Sequence, residues 1–100
     1  MNNEVKHTPT PWVADENAIN DNIGVEIALI TSDMRTWEED DANAAHIVKC
    51  VNLHDELVDA LKDAVSGISY VRQKHGDLYG VGFDRVEMIA NAALKKAGAL

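Results

Sequence analysis

Three side chains with metal and nucleophile chemistry stand at helical spacing in the middle of this chain: His46, Cys50 and His54. At i, i+4 and i+8 on one unbroken helix they would share a face, and imidazole and thiolate are zinc ligands. Two features argue against a site. Asn52 and Asp55 read as the N-cap and N3 of a new helix, which would swing His54 away, and no fourth ligand stands near. Cys50 beside a histidine is also a nucleophile pair in form, but helical neighbours lack an oxyanion hole. Its apolar neighbours predict a packed thiol. Asp55, Asp59 and Asp63 repeat at i, i+4, a spacing that could serve hydrolysis or a cation. They fall opposite Leu57 and Leu61 and beside Lys62, so a solvated helix face explains them.

Two further groups involve charge. Gly76, Gly80 and Gly82 form a glycine-rich stretch without the G-K-[ST] of a phosphate loop. Arg72, Lys74, His75 and Arg85 flank it, and backbone N–H groups at the next helix start can hold an anion. These four residues are the candidate anion pocket; Asp77 and Asp84 count against it. The second group is the acidic run Glu38, Glu39, Asp40 and Asp41. It lies at the start of a helix, where negative charge meets the positive end of the helix dipole and stabilises by roughly 0.3–1 kcal/mol per charge.

The charge balance gives that run wider meaning. The chain has 100 residues and a net charge of −8. Residues 1–50 hold 10 acidic against 3 basic residues, a net of −7. Residues 51–100 hold 7 against 6, a net of −1. Phosphate neutralisation needs clustered Lys or Arg, so direct nucleic-acid binding is not expected. A basic protein partner, drawn by long-range attraction to Glu38–Asp41, fits better. One cysteine excludes an internal disulfide. No secretory h-region and no run of about 18 apolar residues is present, so no membrane segment is expected and the cytoplasm is the expected location.

The elements that must position these groups follow from punctuation and period. The length predicts a single domain over 1–100, with a modest core for which association is a cheap supplement. Residues 1–8 are polar and expected to be loose. Residues 9–31 form the β region. Pro9 and Pro11 hold their neighbours extended and lead Trp12-Val13-Ala14 into an edge strand. Asn/Asp-rich turns over 15–22 surround a short central strand at Ala18-Ile19. Val25–Ile30 is the best strand, with Val25, Ile27 and Leu29 expected on the packed face. Residues 36–98 are helical. Thr36 and Glu39 make a capping box for the first helix, whose buried stripe is Ala44, Ile47, Val48 and Val51. The second carries Leu53, Leu57, Leu61, Ala64, Val65, Ile68 and Val71, with Gly67 suggesting close backbone approach. The third has Asp84 as N-cap, Glu87 at N3, and Phe83–Met88 as a hydrophobic staple. The expected class is α+β: a small antiparallel hairpin or three-stranded sheet packed on three helices. The apolar stripe of the second helix exceeds what so small a fold can cover, so a homodimer through Leu57, Leu61 and Ile68 is expected.

Two motifs carry a family resemblance. The box H-T-P-T-P-W at His7–Trp12 and the segment N-A-A-H-I-V-K-C-V-N-L-H-D-E-L-V-D-A-L at Asn43–Leu61 are similar to those of a family of small phage and prophage proteins. That family has an HTPxPW-like start and an N-A-x-x-I-V-x-x-x-N-x-H-D-x-L-V-x-A-L-like helical segment. The resemblance covers roughly residues 7–61 and implies a phage origin, hence the cytoplasm of a bacterial host. Its pattern transfers no catalytic residue. Within the motifs, Trp12 is expected to anchor hairpin to helix, and Asn43 to bond the backbone of the N-terminal box. The function expected is a non-enzymatic accessory protein that binds and inhibits a host protein, such as a defence component, in the manner of an anti-CRISPR. No catalytic group, metal or cofactor is expected. The alternatives are an oligomeric sponge for a small nucleotide signal, which would need Arg72, Lys74, Arg85, Lys95 and Lys96 to converge, and a small structural or interaction protein.

Overall fold

A computed structural model describes residues 6–76 and 82–100. The chain falls into two compact units, Met1–His54 and Asp55–Leu100. Among the described residues the elements are three strands, β1 (Val13–Asp15), β2 (Ala18–Asn20) and β3 (Glu26–Leu29), and two helices, α1 (Trp37–His75) and α2 (Phe83–Lys96). The class is mixed, with a three-stranded antiparallel sheet in the order β1-β2-β3.

The sheet is built from turn chemistry. Glu16 and Asn17 join β1 to β2, and Glu16 takes a positive φ of 53°, a conformation that disfavours a side chain with a Cβ. Asn17 then braces the far strand: its Nδ2 donates to the Ile30 carbonyl at 3.0 Å, and its own carbonyl accepts from Ile30 N at 2.8 Å. The second turn is held by Asp21. One carboxylate oxygen accepts from Ile23 N and Val25 N at 3.0 and 2.8 Å, the local side-chain bonding that makes Asp a turn residue.

The packed face differs from the expectation of Val25, Ile27 and Leu29. Ile19 pairs with Ala28, but the next pair is Asn20 with Glu26, so Ile27 is the extra residue of a bulge. A bulge breaks the two-residue alternation. Ala28 therefore joins Ile19 and its other partner Ala14 on one face, while Val25 and Leu29 are exposed. Ile19 is 2% exposed and is the apolar anchor of the sheet.

Thr36 caps α1 as expected: its Oγ1 accepts from Glu39 N at 3.2 Å, and its carbonyl accepts from Asp40 N at 3.1 Å. Ala44 is buried, and Ile47, Val48 and Val51 are half-buried along the expected stripe. The separate second helix is not found. α1 continues through Asn52 for 39 residues, so two helices replace the expected three. Asn in a helix interior costs at most about 0.7 kcal/mol relative to Ala, a penalty small enough for one tertiary contact to offset.

In the second unit, the stripe of α2 is Phe83, Glu87, Ala90 and Leu94, with Ala90 and Leu94 buried. Its N-cap is Gly82, without a side-chain hydrogen bond, rather than Asp84. Glu87 does not complete a capping box. It accepts from Arg72 Nη1 at 3.0 Å. The staple is absent as well, because Phe83 is already helical and Met88 is 66% exposed. The far end closes as a Schellman motif: Ala99 N bonds the Leu94 carbonyl and Gly98 N the Lys95 carbonyl, with Gly98 at φ 75°, the left-handed position that glycine fills without strain.

Gly67 also departs from expectation. Nothing approaches within 4 Å of where its Cβ would stand, so it marks no close contact. Mid-helix glycine costs about 1 kcal/mol relative to alanine. Gly67→Ala should therefore stabilise the protein by up to about that amount, read as a raised denaturation midpoint with an unchanged slope.

Candidate functional site

The N-terminal box folds upon a single carbonyl. Thr8 O accepts from His7 Nδ1 at 2.8 Å and from Trp12 Nε1 at 3.0 Å. The two rings meet edge to face, with centroids 6.4 Å apart, a favoured aromatic geometry. Pro9 and Pro11 lie between, and the Thr10–Pro11 bond is cis. The H-T-P-T-P-W box is thus a compact loop that reads its own backbone.

What fastens this loop is Asn52. Its Oδ1 accepts from Trp12 N at 2.7 Å, and its Nδ2 donates to Trp12 O at 2.9 Å. The amide matches the backbone donor–acceptor pair as a neighbouring strand would. The sequence assigns this role to Asn43, but Asn43 is exposed, and Asn52 is neither cap nor helix start. Trp12 is half-buried, as an anchor between box and helix should be.

The acidic run does not form one surface. Glu38 and Glu39 are exposed, Asp41 is half-buried, and Asp40 is only 6% exposed. Arg35 Nε lies 3.6 Å from Asp40 Oδ1. That is close enough for attraction but too long for a hydrogen bond, and this oxygen, sealed from water, has no hydrogen-bond partner. A cavity of about 310 Å³ is lined by Glu16, Asn17, Trp37, Asp40 and Asp41. Trp37 is 72% exposed. The hairpin turn and the start of α1 therefore bring together three carboxylates, an amide and an indole. Sequence spacing places the α1 members; Glu16 and Asn17 arrive only through tertiary structure.

The other candidates remain apart or solvated. Cys50 is exposed, not packed as expected, and its Sγ lies 3.5 Å from His46 Nε2. The continuous helix leaves His46, Cys50 and His54 within one helix, yet among the described residues no group of three His, Cys, Asp or Glu side chains is placed to hold a metal ion. In the anion candidate, Arg72 is engaged with Glu87, Lys74 Nζ lies 5.8 Å from the Tyr70 ring centroid, and His75 and Arg85 are exposed. Gly80 and Asp77 of that loop lie outside the described residues. Among the described residues, no helix is long and apolar enough to cross a membrane.

Comparison with protein-family models, curated proteins and solved structures found no match to this chain.

Removing the Asn52 amide leaves a backbone pair without its partner, which costs about 1–3 kcal/mol when the groups stay desolvated. Asn52→Ala should lower stability by that amount and release the box, seen as loss of the Trp12 indole resonance from its folded position. Asn43→Ala, at an exposed position, should leave both within about 0.5 kcal/mol and unmoved.

Proposed function

We propose that this protein is a non-enzymatic binding protein, of phage origin, that docks a basic protein of its bacterial host through the acidic start of α1. The single observation behind this reading is the arrangement of that helix start. Glu38 and Glu39 are exposed, and a carboxylate-lined cavity adjoins them. An anti-defence role is the biological form of the proposal, and it rests on the resemblance of the box and the central segment to phage proteins. The structure gives the nucleotide-sponge alternative less support, since Arg72 is engaged by Glu87.

Because Asp40 is buried, the charge test uses its exposed neighbours only. Affinity capture from host lysate should yield a stoichiometric basic protein at about 50 mM salt and lose it near 500 mM, as screening lengths contract. Glu38→Lys with Glu39→Lys should slow association about tenfold or more, with the fold intact by circular dichroism. Equal capture by the double variant would overturn the reading. So would release of a small nucleotide, rather than a protein, from material purified out of infected cells.

The second unit supports self-association. Among its described apolar residues only Ala90 and Leu94 are buried, whereas Leu57, Tyr70, Met88 and Ile89 are more than half exposed. Leu57, Leu61 and Ile68 share a helix face by their spacing, and the last two are half-buried. We propose a homodimer through these three residues. Light scattering at micromolar concentration should give twice the 10.9 kDa chain mass, and Leu57→Glu should return it to the monomer mass. A monomer mass for the unaltered chain would contradict it.

A further inference from the structure

We propose that the second unit is half of a four-helix bundle, completed by the same unit of a second copy, with α1 of one chain lying against α2 of the other. The inference deepens the homodimer proposed above and rests on it. Its basis is a second apolar face. On α1 the covered stripe of this unit runs at helical spacing from Leu61 to Arg72, and on α2 from Phe83 to Leu94. The two stripes have the same length, and Arg72 joins Glu87 at 3.0 Å. They cover one another as an antiparallel hairpin.

Beside each covered stripe runs an open one. On α1 it is Leu57, Ala64 and Val71, which repeat every seven residues; on α2 it is Val86, Ile89 and Ala93. Leu57, Val86 and Ile89 are 64%, 45% and 55% exposed. Ala64 and Ala93 are exposed and Val71 is half-buried. At 3.6 residues per turn, each open stripe is turned by about 80–100° from the covered one, in the same rotational sense. In antiparallel helices equal turns lead to the same side. The six residues therefore make one apolar face along one side of the hairpin, the kind of face that a helix bundle buries.

Charge selects a second copy as the occupant and sets its direction. Residues 51–100 hold 7 acidic against 6 basic residues, a net of −1, so two copies of this unit repel little. Glu56 and Asp63 border the open stripe of α1, and Arg85 and Lys96 border that of α2; all four are exposed. Packing α1 on its own copy would set acid against acid, whereas α1 on the partner's α2 sets acid against base. The levels agree when the twofold axis runs along the bundle. Asp63 stands nine residues before Arg72 and Lys96 nine after Glu87, the pair that fixes the hairpin register. Lys74 shares the α1 border, and its Nζ lies 5.8 Å from the Tyr70 ring centroid.

The test is the dimer dissociation constant of the full chain, read by analytical ultracentrifugation over a dilution series. Ile89→Glu should raise it about a hundredfold, as loss of a central apolar anchor does, with helix content kept by circular dichroism. Met88→Glu, next in sequence and 66% exposed but on another face, should leave it unchanged. If Ile89→Glu fails to fold, Ala93→Glu at an exposed position reads the same face. Asp63→Lys and Lys96→Asp should each weaken the dimer about threefold, as a surface ion pair allows, and the two together should restore it. Dimers that survive both Ile89→Glu and Ala93→Glu but not Leu57→Glu would refute the bundle and leave the homodimer standing. Equal loss with Met88→Glu, or no rescue by the double charge swap, would refute the arrangement of α1 on α2. A monomer mass for the unaltered chain would overturn both.

Discussion

A single side-chain amide in the interior of a helix ties the N-terminal box to α1. Asn52 offers one acceptor and one donor to the backbone of Trp12, so the box gains a strand-like pairing where no strand exists. Proline limits what else the box can do. Pro9 and Pro11 have no N–H to contribute, and the loop around them satisfies the Thr8 carbonyl through His7 and Trp12 instead. With Trp12 fixed, β1 begins one residue later at Val13, and β2 and β3 follow by short turns. The position of the β1–β2 turn, and so of Glu16 and Asn17, depends on that anchor.

The cost of such a device is local and small, which is why the helix tolerates it. An asparagine is a mediocre helix former, and it competes for its own backbone. Two tertiary hydrogen bonds of ordinary strength, each about 0.5–1.5 kcal/mol net, outweigh that penalty. The same balance explains why α1 does not restart at Asn52. The first unit gains a link of 40 residues in sequence separation, at no loss of helix continuity.

Much of this was legible in the sequence, and the failures have physical causes. Asn/Asp density located the turns, Thr36 located the start of α1, and helical period found Ala44 and its stripe. All of these are local rules acting on adjacent residues. Asn52 defeated them because the same amide is a good cap and a good tertiary clamp, and only the long-range partner decides between the two. Ile27 defeated strand alternation through a bulge set by pairing across β2 and β3. Asp84 looked like a cap by composition, yet Gly82 took that position and Glu87 turned to Arg72. In the candidate site, the acidic run was plain, but the burial of Asp40 and the arrival of Glu16 and Asn17 were not. Those depend on where a hairpin turn settles against a helix start. Cys50 reversed for the opposite reason: its apolar sequence neighbours line the other faces of α1, and the thiol itself is exposed.

The claim that Asn52 clamps the box is tested most directly by hydrogen exchange at the Trp12 amide. Trp12 precedes β1, an edge strand, and outside any clamp its N–H would meet water and exchange at the rate of an unstructured peptide. The account predicts protection at Trp12 comparable to that of the β2 amides, since opening the clamp means unseating the box from α1. Exchange at Trp12 as fast as in an unfolded peptide, with the β2 amides protected, would contradict it.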